Sequence, residues 1–136
     1  MRFLWPLLLL FSLGLSAQVR LEVETLGVNT SEGFICVALY TEEEGFLKFD
    51  RVYRSERAPA RQGVTRVVID DLPSGEYALA VFHDKNSDEV LNTNWLGIPK
   101  EPLGFSRARM KAFGPPGFRE CAVLLDTDTT IRIPLE

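Results

Sequence analysis

A short polar stretch in the second half of the chain places oxygen-bearing side chains at alternate positions. Asp84, Asn86 and Asp88 follow one another at every second residue, and Asn92 lies four residues further on. Loops that bind calcium use this spacing, because a tight turn brings alternate residues around one hard cation. The stretch therefore predicts a calcium site, which Asn92 or Glu101 would complete.

Two positions depart from the helical type of calcium loop. Glu89 stands where that loop has glycine, and a non-glycine residue rarely adopts positive φ. Trp95 stands where the bidentate glutamate would be, so that Glu101 would have to reach in. These departures predict a weak site. They also leave open a polar loop held by side-chain-to-backbone hydrogen bonds, which Asp and Asn form readily.

His83 is the only histidine of the chain. A single histidine cannot build a polyhistidine metal site, and Asp84, as its neighbour on a strand, faces the opposite way. We therefore expect His83 to end a core-facing row and to form a hydrogen bond into the long loop that follows. The alternative is an enzyme of unknown class that uses His83 as acid or base.

Six segments have the composition and the bounding turns of β-strands. Residues 71–75 form a strong turn signal between two of them, which predicts a hairpin. The connection 41–62 is polar and predicts one short edge strand or helical turn. The predicted strands are Val19–Leu26, Phe34–Tyr40, Val64–Ile69, Glu76–His83, Glu120–Leu125 and Thr129–Leu135.

Residues 84–118 form a long loop that is rich in glycine and proline yet also in large apolar side chains. A loop of this kind must fold back and bury those side chains as a satellite cluster. We expect Trp95, Phe105 and Phe118 to anchor it, and Phe113 to be buried with them. Strands without a long helix predict an all-β fold, an antiparallel β-sandwich or small barrel with one long ordered loop.

The first residues have the layout of a secretory signal peptide. Arg2 precedes the apolar run Phe3–Leu13, and small residues follow up to Ala17. Cleavage after Ser16 or after Ala17 fits, and we prefer Ala17, so that residues 1–17 are the signal peptide and 18–136 a single β-sandwich domain. An uncleaved membrane anchor is the alternative, although the run is short for a bilayer. The protein is expected to be exported, to the periplasm or beyond, without stable membrane insertion after cleavage.

The net charge of the chain disfavours two classes of binding partner. The chain has 15 Lys and Arg against 19 Asp and Glu, and loss of Arg2 takes the net charge from −4 to −5. An acidic protein is a poor ligand for nucleic acid or an anionic membrane.

Two cysteines, Cys36 and Cys121, remain after cleavage. Disulfides persist outside the cytosol, and two cysteines allow one pairing. Both lie in apolar stretches, where a free cysteine acts as a small hydrophobe, so the two states stay open.

Six motifs in the second half resemble the DUF2141 family of uncharacterised exported bacterial proteins. They are LPSGEYA at 72–78, VFHDKN at 81–86, LNTN at 91–94, GIPKEP at 97–102, GFS at 104–106 and GPPGF at 114–118. The resemblance implies export and a β-sandwich of the immunoglobulin-like or transthyretin-like kind. The family tends to have Gly-Asn-Gly-Lys-Leu-Asp after Asn86, whereas this chain has Ser-Asp-Glu-Val-Leu-Asn at 87–92.

These observations favour an exported cell-envelope module that binds or supports an unknown envelope or extracellular partner. It would act through the loop 84–118, with the weak calcium site as its one candidate cofactor. An enzyme would instead need a pocket with convergent polar groups around His83.

Cleavage after Ala17 predicts that the mature chain begins at Gln18. Amino-terminal sequencing of exported protein should read Gln-Val-Arg-Leu from residue 18. An envelope fraction that retains Met1 would contradict it.

Overall fold

The structure is a two-layer arrangement of β-strands. The computed structural model describes residues 17–88 and 101–136. Within them, none of the helical segments is long and apolar enough to span a membrane. The strands are β1 Gln18–Val28, β2 Phe34–Tyr40, β3 Arg54–Pro59, β4 Gly63–Pro73, β5 Gly75–Asp84, β6 Leu103–Phe105, β7 Val123–Leu125 and β8 Thr129–Pro134, with one 3₁₀ turn at Phe49–Arg51 and the helical turn α1 at Phe118–Cys121.

The strands divide into two sheets, which confirms the predicted all-β sandwich. The first sheet has the order β4-β1-β8, and the second has the order β3-β2-β5-β6, with β7 paired to the beginning of β5. All pairs are antiparallel except β1 and β8, which run parallel. The predicted edge strand in 41–62 is β3, which lies at the border of the second sheet.

The main core lies between the two sheets and follows the period of two along each strand. Tyr77, Leu79 and Val81 of β5 are all buried in it, as the alternation predicts. Alternate residues of β1 in the opposite sheet and of the neighbouring strand β2 also contribute to it: Val19, Leu21 and Val23 from β1, and Ile35, Val37 and Leu39 from β2.

The predicted hairpin between β4 and β5 is wrong. β4 pairs with β1 in the first sheet, whereas β5 pairs with β2 in the second. The turn at 73–75 therefore carries the chain from one sheet to the other. Turn residues determine where a strand ends, but the strand that becomes its neighbour depends on which inner faces meet across the core.

A second apolar cluster covers part of the outer face of the second sheet. Phe105 and Phe118 are buried in it, as predicted, together with Tyr40, Ala78, Cys121 and Ala122. Phe46 makes edge-on ring contacts with Tyr40 and Phe118, at centroid distances of 5.2 and 5.9 Å. Trp95, the third predicted anchor, lies outside the described residues.

Phe113 does not join this cluster, contrary to the prediction. It is fully exposed, because it stands at the apex of a turn that the backbones of Lys111 and Gly114 close with hydrogen bonds in both directions. A closed two-residue turn on the surface points its side chains outward.

Two segments differ in type from their prediction. Part of the long loop is strand β6, and the predicted strand Glu120–Leu125 is divided between α1 and β7. The Glu120 carboxylate accepts a hydrogen bond from the Gly117 backbone N–H at 2.7 Å. This contact satisfies one of the donors left open at the start of a helical turn, which favours helix over strand at this point.

The two cysteines are not bonded to each other. Cys36 pairs with Phe82 of β5, whereas Val123, two residues after Cys121, pairs with Tyr77. Phe82 lies five positions after Tyr77 along β5, about 16 Å at the usual rise. The single residue between Cys121 and Val123 cannot bring the two cysteines within the Cα separation of about 7 Å that a disulfide allows.

Truncation of Leu79 should destabilise the fold strongly. Leu79 is fully buried, so Leu79→Ala is expected to lower the free energy of unfolding by about 2–5 kcal/mol. Leu124→Ala is the matched control, since Leu124 is 67% exposed and its truncation should change stability by no more than about 0.5 kcal/mol. Urea denaturation of both variants measures this, and equal effects would contradict the assigned inner face.

Cys121 should resist alkylation in the native protein. Burial, reinforced by the charge of Glu120, raises the pKa of its thiol to about 11. At pH 8 about one molecule in a thousand then carries the reactive thiolate, against about a quarter for an ordinary thiol.

The test uses a Cys36→Ser variant with iodoacetamide and mass spectrometry. We expect labelling in urea to exceed native labelling at least a hundredfold. Similar rates would show that Cys121 is not buried as described.

Candidate cation site at the end of strand β5

The register between β5 and β6 brings two carboxylates face to face. Phe82 pairs with Leu103, and the His83 backbone N–H donates to the Pro102 carbonyl at 3.0 Å. Continuing this antiparallel register by one residue places Asp84 opposite Glu101. Like charges in such a position destabilise a sheet unless something compensates them.

A third carboxylate completes the cluster. Asp84, Asp88 and Glu101 each offer an oxygen, and the three oxygens lie within 4.8 Å of one another. Asp84 is fully buried and Glu101 is 9% exposed, whereas Asp88 is exposed to solvent. Calcium–oxygen distances of 2.3–2.6 Å separate two ligands of one ion by up to about 5 Å, so the cluster has the dimensions of a shared cation site.

The loop after β5 is shaped by hydrogen bonds among its own residues. The Asp88 N–H donates to Asp84 Oδ1 at 3.2 Å and to Asn86 Oδ1 at 3.3 Å. The Asn86 amide donates to Asp88 Oδ2 at 3.0 Å. These are the side-chain bonds of the polar-loop alternative, and they also hold Asp84 and Asp88 on the same side of the turn.

Three of the five predicted ligands therefore meet in space: Asp84, Asp88 and Glu101. Asn86 belongs to the same loop, and its amide contacts the Asp88 carboxylate. Asn92 lies outside the described residues. The alternating spacing of oxygen-bearing residues indicated the loop that carries Asp84 and Asp88. The contribution of Glu101 depends on the pairing register of β5 and β6.

Gly33 supports the site from the turn between β1 and β2, and the sequence reasoning missed it. It has a φ of +71°, and a Cβ at this position would lie 2.0 Å from the Asp84 carbonyl oxygen and 2.7 Å from Lys85 Cα. Only glycine allows this approach. The turn therefore packs directly against the backbone that carries Asp84.

The side chain of His83 contacts the turn between β1 and β2 from the core side. Its side chain is fully buried, and Nε2 lies 2.7 Å from the Glu32 carbonyl oxygen. Because a carbonyl only accepts, Nε2 carries the proton and donates. The core-facing position of His83 is confirmed. Its side chain, however, binds the turn between β1 and β2 rather than the long loop.

The segment that carries Glu101 is held on both sides. Leu103 and Glu136 exchange backbone hydrogen bonds of 3.3 and 2.9 Å, which join β6 to the end of the chain after β8. A Cβ on Gly104 would lie 2.4 Å from the Pro134 carbonyl oxygen, so the two backbones are in close contact. The position of Glu101 is thereby tied to both sheets.

Basic residues further along this segment form ion pairs with acidic residues of the protein itself. Arg109 pairs with Glu136 at 3.7 Å and Arg119 with Glu43 at 3.4 Å. Exposed ion pairs of this kind contribute little to stability. They balance the charge of these arginines locally.

The residues of the candidate site lie within a region that matches a known protein family. A family model described as "Uncharacterized protein conserved in bacteria (DUF2141)" matches residues 23–132. The chain belongs to the DUF2141 family. The match includes all three converging carboxylates of this DUF2141 protein, and the resemblance seen in its motifs is confirmed. No curated protein and no solved structure matches the chain.

The close contact at Gly33 of this DUF2141 protein can be tested by comparing alanine substitutions at Gly33 and Gly63. Gly33→Ala should destabilise the fold and displace the backbone at Asp84, because the added methyl group has no space. Gly63→Ala is the control, since Gly63 also has positive φ, at +91°, but a Cβ there would meet nothing within 4 Å.

Both alanines carry the backbone strain of positive φ, so the difference between them isolates the contact. Thermal denaturation should show a larger loss for Gly33→Ala by at least about 1 kcal/mol, in the range of overpacking. Equal losses would contradict the close approach of the turn to Asp84.

Proposed function

We propose that this DUF2141 protein is an exported cell-envelope module, with a binding or structural role, in which a weakly bound calcium ion fastens the loop after β5. The observation that carries the proposal is the convergence of the carboxylates of Asp84, Asp88 and Glu101 within 4.8 Å. They come from two chain segments, so a shared ion would link the loop that follows β5 to the beginning of β6.

The chemistry of the ligands favours calcium. Three carboxylates at close range repel one another, and a divalent cation turns that repulsion into attraction. Calcium accepts carboxylate and carbonyl oxygens in irregular geometry, whereas magnesium demands a near-ideal octahedron and keeps several waters. An exposed Asp88 beside a buried Asp84 suits the less demanding ion.

The affinity is expected to be low. Modules that work outside the cell bind calcium with Kd on the order of 10⁻⁴–10⁻³ M, and the loop lacks the glycine of tighter sites. Export therefore belongs to the proposal, because calcium outside the cytosol can fill such a site. The signal-peptide pattern of residues 1–17 supports export, and β1 begins at Gln18, directly after the preferred cleavage site.

The described part of the long loop, residues 101–118, suits recognition of an envelope or extracellular partner. Ser106 ties it to the fold, since its hydroxyl accepts from the Leu79 N–H at 2.9 Å and donates to the Cys121 carbonyl at 2.6 Å. The same segment presents Phe113 on the surface. A fixed backbone with an exposed aromatic loses little entropy on binding. The alternative, an enzyme that uses His83, gains no support from a buried imidazole.

The test is thermal denaturation of the mature protein in a chelator and in millimolar calcium. Calcium at ten times its Kd stabilises the native state by about 1.4 kcal/mol, which raises Tm by several degrees for a domain of this size. We expect this shift in the wild type and its loss in Asp84→Asn and Glu101→Gln.

These substitutions remove a charged ligand with little change of shape. The asparagine of the Asp84→Asn variant would keep an oxygen that can accept from the Asp88 N–H, so the loop retains that bond. Asp70→Asn is the control: Asp70 is an exposed carboxylate that pairs with Arg20 on the first sheet, and its variant should keep the full calcium shift. Identical wild-type melting curves in calcium and in chelator would overturn the cation and leave a polar turn.

A further inference from the structure

We draw no further inference here: the strongest candidate, the shallow apolar groove that Cys36, Ala38, Phe49, Val52 and Phe82 line on the outer face of the second sheet, carries nothing because the described residues do not show what covers it.

Discussion

The backbone ladder around β5 is the interaction on which the rest of the structure depends. β5 is hydrogen-bonded to β2 along one edge and to β6 and β7 along the other. Its alternate side chains serve two different cores, because Leu79 faces the space between the sheets while Ala78 faces the second apolar cluster. β5 ends at Asp84, so the backbone hydrogen bonds of the same ladder determine where the candidate cation site lies. The register of one strand thus determines both packing and site.

The site also shows how close packing and charge are combined in this fold. A shift of one residue between β5 and β6 would turn Glu101 to the other face of the sheet, since side chains alternate. Two contacts oppose such a shift: Leu103 is bonded to Glu136, and Gly104 lies against the Pro134 carbonyl. Backbone contacts in both sheets therefore hold the carboxylates together against their electrostatic repulsion. A cation at this position would relieve that repulsion without moving the strands.

The two outer faces of the sandwich differ in chemistry. The first sheet presents charged pairs such as Arg66 with Glu22 and Arg132 with Glu24, which keep that face in water. Part of the outer face of the second sheet is covered by the segment that buries Phe105 and Phe118. Residues 101–118 are thus anchored by their apolar side chains while the rest of the segment remains at the surface. The proposed partner contact lies on this side of the molecule.

The sequence by itself determined most of the strands, their inner faces and the segment that holds the candidate site. β2 spans Phe34–Tyr40 as predicted, because alternation and bounding turns are local properties of the chain. Tertiary structure decided the pairing: β4 and β5 belong to different sheets, and β8 runs parallel to β1. It likewise decided that Glu101 meets Asp84 and that Phe113 stays outside. Such outcomes depend on contacts between residues far apart in the chain, for which local periodicity carries no information.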